Sequence, residues 1–259
     1  MSTFTPRPGA APLVQQVAAQ ARMEARLMLR NGEQLLLAIV IPVIVLVGGV
    51  LAADRLGLDL SGHDPVDVLT PGVLALAVMS TAFTSLAIAT GFERRYGVIK
   101  RLGSSPLPRH GLLLGKVLAL LNVVVLQLVV LVVAGLVLGW RPSLEDPLVS
   151  VGSVLLAVAT GTWAFAALGL FVAGVLRAEA TLAVANLVYL LLMAGGGVVL
   201  PTSAYGAAAG PISWLPSAAL GDAMRAALVD TRLDGTAIAI LLGWGVLATF
   251  LTARTFRWE

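Results

Sequence analysis

The chain has 259 residues, 58% of them apolar and only 12% charged, with a formal net charge of +3. Soluble domains carry about 25% charged residues, so this composition excludes a water-coated globule and points to a chain that uses the bilayer as its solvent. There is no Cys, and the two His, His63 and His110, are far apart, so disulfides and thiolate chemistry are excluded and no metal or haem site is expected.

In chain order, residues 1–34 read as a tail followed by an interfacial amphipathic helix. From Leu13 to Asn31, Arg22, Arg26 and Arg30 recur every four residues on one face, with Leu13, Val17, Ala21, Met28 and Leu29 on the other. Residues 35–259 read as a six-span membrane domain. Span 1 covers about Leu35 to Ala53 and is kinked by Pro42. An acidic loop follows. Span 2 is expected to open at Thr70-Pro71, a cap residue before the residue suited to the first helical position, and to reach Phe92.

Span 3 is Leu112 to Gly139, closed by Trp140 as an interface aromatic. Asp146-Pro147 repeats the cap-then-proline opening, and span 4 reaches Leu176. Span 5 is Thr181 to Leu200, with Gly195-Gly196-Gly197 as a close-packing stretch or hinge near its end. Residues 201–230 are too interrupted by Pro201, Pro211 and Pro216 to span, and are expected as short helices that re-enter the membrane or lie on it. Span 6 is Thr236 to Ala253. The fold class is therefore all-α: a polytopic membrane protein of six transmembrane helices, with an N-terminal interfacial helix and short extracellular or re-entrant helices before the last span.

Six spans return both termini to one side. That side holds 13 of the 17 basic residues and 5 of the 14 acidic ones. By the positive-inside rule it is the cytoplasm. The basic residues are split among separate segments and form no single face, so nucleic acid is not an expected partner.

No Asp, Glu, Lys or Arg falls in the middle of a span, which argues against a carrier driven by its own ion relay. Lys116, near the start of span 3, is expected to snorkel to the interface. No phosphate-binding loop of the Gly-x-x-x-x-Gly-Lys-Ser/Thr type is present, so the chain is not expected to bind ATP by itself. No catalytic residue and no metal ligand stands out. Energy would have to arrive through a partner, on the charged stretch after span 2. Mildly polar residues inside the spans, Thr84, Asn122, Gln127, Thr162, Asn186 and Tyr189, are either interhelical hydrogen-bonding groups or a lining for an amphiphilic substrate.

Phe92-Glu93-Arg94-Arg95-Tyr96-Gly97-Val98-Ile99-Lys100-Arg101-Leu102-Gly103-Ser104-Ser105-Pro106-Leu107, followed by Leu113-Leu114-Gly115-Lys116, resembles the signature of the membrane permease subunits of type-2 bacterial ABC exporters, such as those of daunorubicin-resistance transporters. Leu215-Pro216-Ser217-Ala218-Ala219-Leu220-Gly221-Asp222-Ala223-Met224-Arg225 is similar to the proline motif before their last span. One departure is Arg95-Tyr96, where many members have Glu-Arg. The resemblance implies a coupling helix at about 92–105, docked on a separate ATPase subunit through Phe92, Glu93, Arg94, Arg95, Lys100 and Arg101. It implies that ATP and Mg are held by that partner and not by this chain. It also implies a second permease subunit, as homodimer or heterodimer, in the bacterial plasma membrane among lipid. The function so implied is export of an amphiphilic drug, lipid or similar molecule. An ATP-independent carrier or channel is the alternative.

Overall fold

The computed structural model describes residues 11–30, 32–56, 64–102 and 108–256, and its regular structure there is entirely helical. Helix α1 is Leu13–Arg30, and α2 is Gly32–Leu56 with Pro42 inside it. Helix α3, Pro65–Met79, runs through a π turn at Ser80–Ser85 into α4, Leu86–Arg95, giving one continuous apolar rod. A short α5, Val98–Leu102, precedes α6, Arg109–Val137, and α7, Pro147–Val175. Helix α8 is Ala178–Gly195. Two short pieces, Thr202–Ala208 and α9, Ala209–Ser213, lead to α10, Pro216–Leu228, and α11, Gly235–Thr255.

Among the described residues five helices are long and apolar enough to cross a membrane: Pro65–Arg95, Gly111–Val137, Pro147–Val175, Ala178–Gly195 and Gly235–Thr255. A shorter apolar stretch, Ala38–Ala53, lies in α2. Together these correspond to the six expected spans. The α3–α4 rod is the axis of the bundle: every residue of α3 from Val68 to Met79 is buried. Helices α2, α6, α7 and α10 pack around it.

The second span starts earlier than expected. Asp64 and Pro65 open it, while Thr70 and Pro71 lie inside the helix and Thr70 donates its hydroxyl to the Val66 carbonyl at 2.6 Å. Both dipeptides have the cap-then-proline pattern, but only Pro65 sits in the first turn, where no intrahelical N–H is needed. Asp146 does cap α7, accepting from the backbone N–H of Leu148 and Val149.

The segment before the last span divides: Thr202–Ala208 and α9 hold no buried residue, but α10 does not lie on a surface. Helix α10 is buried along nearly its whole length, against α3, α7 and α11. Its run of Ala, Gly and Ser side chains lets neighbouring backbones come close. Trp140, expected at the lipid interface, is also buried, beside Gly135 and Thr70. Trp214 is exposed, and its carbonyl accepts the Trp244 indole N–H at 2.9 Å.

Candidate functional site

One end of the bundle gathers the last turn of α4, the start of α6, the last turns of α7 and α11, and the start of α8. This basic end is fastened by the charged stretch itself. Arg94 donates to the carbonyls of Ala173 and Leu176, which the end of α7 leaves without intrahelical partners. Its guanidinium also lies 5.9 Å from the centre of the Phe256 ring, past the end of α11. Arg95 pairs with Glu179 in the first turn of α8.

Glu93 points the other way, into the protein. Lys116 of α6 reaches it at 2.6 Å and reaches Glu24 of α1 at 2.8 Å. The Lys116 side chain is 2% exposed, so it does not snorkel. A buried ammonium needs carboxylates within hydrogen-bonding distance to offset its lost hydration, and here it has two. Gln20 adds a hydrogen bond to Glu24 at 2.9 Å. The inward face of α1 thus carries Gln20 and Glu24 beside Val17, and Arg22, Arg26 and Arg30 stay exposed on the far side. Gly115 allows this contact: a Cβ there would meet the Gln20 side chain at 2.8 Å. The Gly115-Lys116 pair therefore lets α1 come close and then anchors it.

The stretch from Phe92 onward is not one helix. It ends at Arg95, turns at Tyr96 and Gly97, and resumes as α5. Gly97 has φ +68, a conformation that costs a residue with a Cβ about 1–2 kcal/mol. Residues 103–105 of the expected helix lie outside the described residues. Phe92 stacks on Tyr96. Lys100 and Arg101 are exposed on α5. The six candidate contacts thus divide: Glu93, Arg94 and Arg95 hold the stretch to the bundle, Phe92 braces the turn, and Lys100 and Arg101 lie on the outer element. Pro108, in extended conformation, turns the chain into α6.

The ABC-2 type transporter family model matches residues 15–229, from within α1 through the end of α10. The chain belongs to that family. A comparison with curated proteins returns no match. Family membership makes the chain the transmembrane, permease component of an ABC-type transporter, not its ATPase, and such permeases generally work with an ATPase subunit.

Within the permease's membrane core, polar residues mend breaks in the backbone. Pro42 has no N–H, so the carbonyl of Ala38, four residues earlier, loses its helical partner. The Gln127 side chain of α6 donates to that carbonyl at 2.7 Å. The Gln127 amide oxygen accepts the Thr81 hydroxyl, inside the π turn, at 2.6 Å. Gln127 is 1% exposed, and it joins α2, the second span and α6 at one point. Among the other polar candidates, Thr84 lies in the π turn, against which α8 packs. Tyr189 of α8 is buried beside Ser80 of that turn, and Asn186 is exposed on α8. Thr162 is buried in α7. Asn122 is exposed on α6 and donates to the Leu118 carbonyl of its own helix. Thr84, Tyr189 and the π turn are therefore brought together, while Asn122 and Gln127 stand elsewhere.

The opposite, acidic end has its own clamp, made by two residues of the proline motif whose pairing the sequence did not reveal. Arg225 of α10 donates to the carbonyls of Gly197, Val198 and Val199 and is paired with Asp222 at 2.8 Å. Burial pulls its pKa below the ordinary arginine value, while Asp222 acts in the opposite direction. The chain leaves α8 through Gly197, at φ +71, and Arg225 holds the carbonyls that follow. Among the described residues no cluster of His, Cys, Asp or Glu has the arrangement of a metal site.

Proposed function

We propose that this permease is the membrane subunit of an ATP-driven exporter, in which a separate ATPase subunit hydrolyses ATP and drives the spans through the 92–102 stretch. One observation carries the reading. The exposed α5 hangs below a turn whose preceding helix is tied by Glu93 to Lys116, and through Lys116 to Glu24. A push on α5 therefore enters α4, α6 and α1 together rather than being lost in a loose loop. Lys100 and Arg101 supply positive charge for an acidic groove on the ATPase. The basic end faces the cytoplasm, where the nucleotide is, and both termini lie there. ATP and Mg belong to the partner. A second permease subunit completes the path, and the weakly polar side of the second span at Ser80 and Thr84, beside Asn186 and Tyr189, suits an amphiphilic substrate.

The test is co-purification in mild detergent with a P-loop ATPase, in wild type and in the Lys100→Glu/Arg101→Glu variant. The ATPase should accompany the wild type and fall at least tenfold in the charge-reversed chain, with insertion unchanged. Transport by the purified chain without any ATPase would favour the carrier alternative and overturn this reading.

A further inference from the structure

A cleft of about 410 Å³ opens between α6 and α11, over the half of α7 nearer the basic end. Helix α6 leans on α1 and α3, and α11 leans on α7 and α10, which leaves this gap between them. Its back wall is small, with Ala166 and Ala167, and Ala253 lies at its open edge. Trp163 bounds it toward the bilayer centre, Leu114 on one side and Phe256 at the basic end. From Trp163 to Leu170 along α7 is about 10 Å. All three helices are apolar spans, so what meets the opening is the hydrocarbon of the bilayer.

The polar atoms of the wall are already used. The Trp163 indole N–H donates to the Thr249 hydroxyl at 3.2 Å, and the Thr252 hydroxyl donates to the Ala167 and Ala248 carbonyls. Trp163 is also seated face-on against Gly245, where a Cβ would meet the ring at 2.9 Å. The cleft is thus held open by an oriented ring, and beside the Thr249 hydroxyl its wall is apolar, little suited to a polar ligand or water. At its basic end the charge changes: the Arg94 guanidinium lies against the Phe256 ring. Lined by no charged residue for about 10 Å, with the Arg94 cation beyond Phe256 at one end, the cleft matches the upper acyl chain of a lipid with an anionic headgroup.

We infer that this cleft is a binding site for an anionic phospholipid, one acyl chain lying between α6 and α11 under Trp163 and the phosphate at the basic end. The site is separate from the path near Ser80 and Tyr189. Only the choice of leaflet rests on the orientation proposed above, so failure of the ATPase reading leaves the site standing.

Trp163 is the reporter. The full-length permease is reconstituted in phosphatidylcholine vesicles, and chain-brominated phosphatidylglycerol or chain-brominated phosphatidylcholine is introduced in increasing fraction. Brominated chains quench indole fluorescence on contact, and the Trp163 contribution is wild type minus Trp163→Phe. Half-quenching of that contribution is expected at about fivefold less brominated phosphatidylglycerol than brominated phosphatidylcholine. Ala253→Leu, which fills the exposed edge of the cleft, should remove that difference while leaving the quenching of the other four Trp unchanged. Equal curves for the two lipids in wild type would mean an ordinary lipid-facing surface and overturn the proposal. So would recovery, from the purified protein, of a non-phospholipid amphiphile whose presence blocks Trp163 quenching by either lipid.

Discussion

Lys116 and Gln127 both sit on α6, three turns apart, and both do their work at the far end of a long side chain. Lys116 is buried between two carboxylates. Replacing it with Met leaves Glu24 and Glu93 facing each other without a counter-ion, a change expected to cost about 3–5 kcal/mol. Thermal unfolding in detergent measures this. Replacing all three with Met or Leu should restore most of the loss, because apolar packing can stand in for a buried ion set. Gln127→Met loses its bonds to the Ala38 carbonyl and the Thr81 hydroxyl, at about 1 kcal/mol. In the Pro42→Ala background the Ala38 carbonyl regains a helical N–H, so the same substitution should cost less. Additive losses in that double-mutant cycle would show that Gln127 does not answer the proline. None of these partnerships was legible in the sequence. Glu24 lies 92 residues from Lys116, and a lysine near a span end normally reaches outward.

At the scale of elements, the turn at Tyr96 and Gly97 sets how α5 hangs from α4. Gly97→Ala should cost about 1–2 kcal/mol locally, and in the complex it should lower the ATPase activity stimulated by the permease more than it lowers the yield of inserted protein. A purified complex assayed for nucleotide hydrolysis separates the two effects. At the acidic end, Arg225→Leu removes the guanidinium that holds four carbonyls after α8 and leaves Asp222 without its pair. It should sharply lower yield, and Arg225→Lys should recover only part of the loss, since an ammonium cannot reproduce the planar fork. Much of the element order could be read directly. Asp146-Pro147 announced α7 because capping and proline chemistry act within a few residues. Thr70-Pro71 misled for the same reason, since Asp64-Pro65 obeys the same local rule earlier in the chain. Helix α10 reads as weakly amphipathic, yet its small side chains are what let it enter the bundle.

For the whole molecule, the segregation of charge between the two ends is legible in the sequence, because the rule behind it concerns whole loops rather than contacts. The chain has no Cys, so single cysteines can report the sidedness directly. Tyr96→Cys should be protected from a membrane-impermeant maleimide in intact cells, and Leu233→Cys, exposed at the start of the last span, should be labelled. The opposite pattern would invert the molecule and remove the nucleotide from the reach of α5.

The π turn at Ser80–Ser85 holds one residue more than the α-helical count for the same rise. Every side chain on α4 therefore owes its compass bearing to that surplus. Were those residues to close into α-helix with none removed, the two halves would swing about 100° against each other, whereas deleting one residue would let the turn close with both halves left in place. In the first case, with α3 locked in the bundle, Glu93 would be carried away from Lys116, and a change deep in the hydrocarbon would be felt as a misaligned handle at the membrane face.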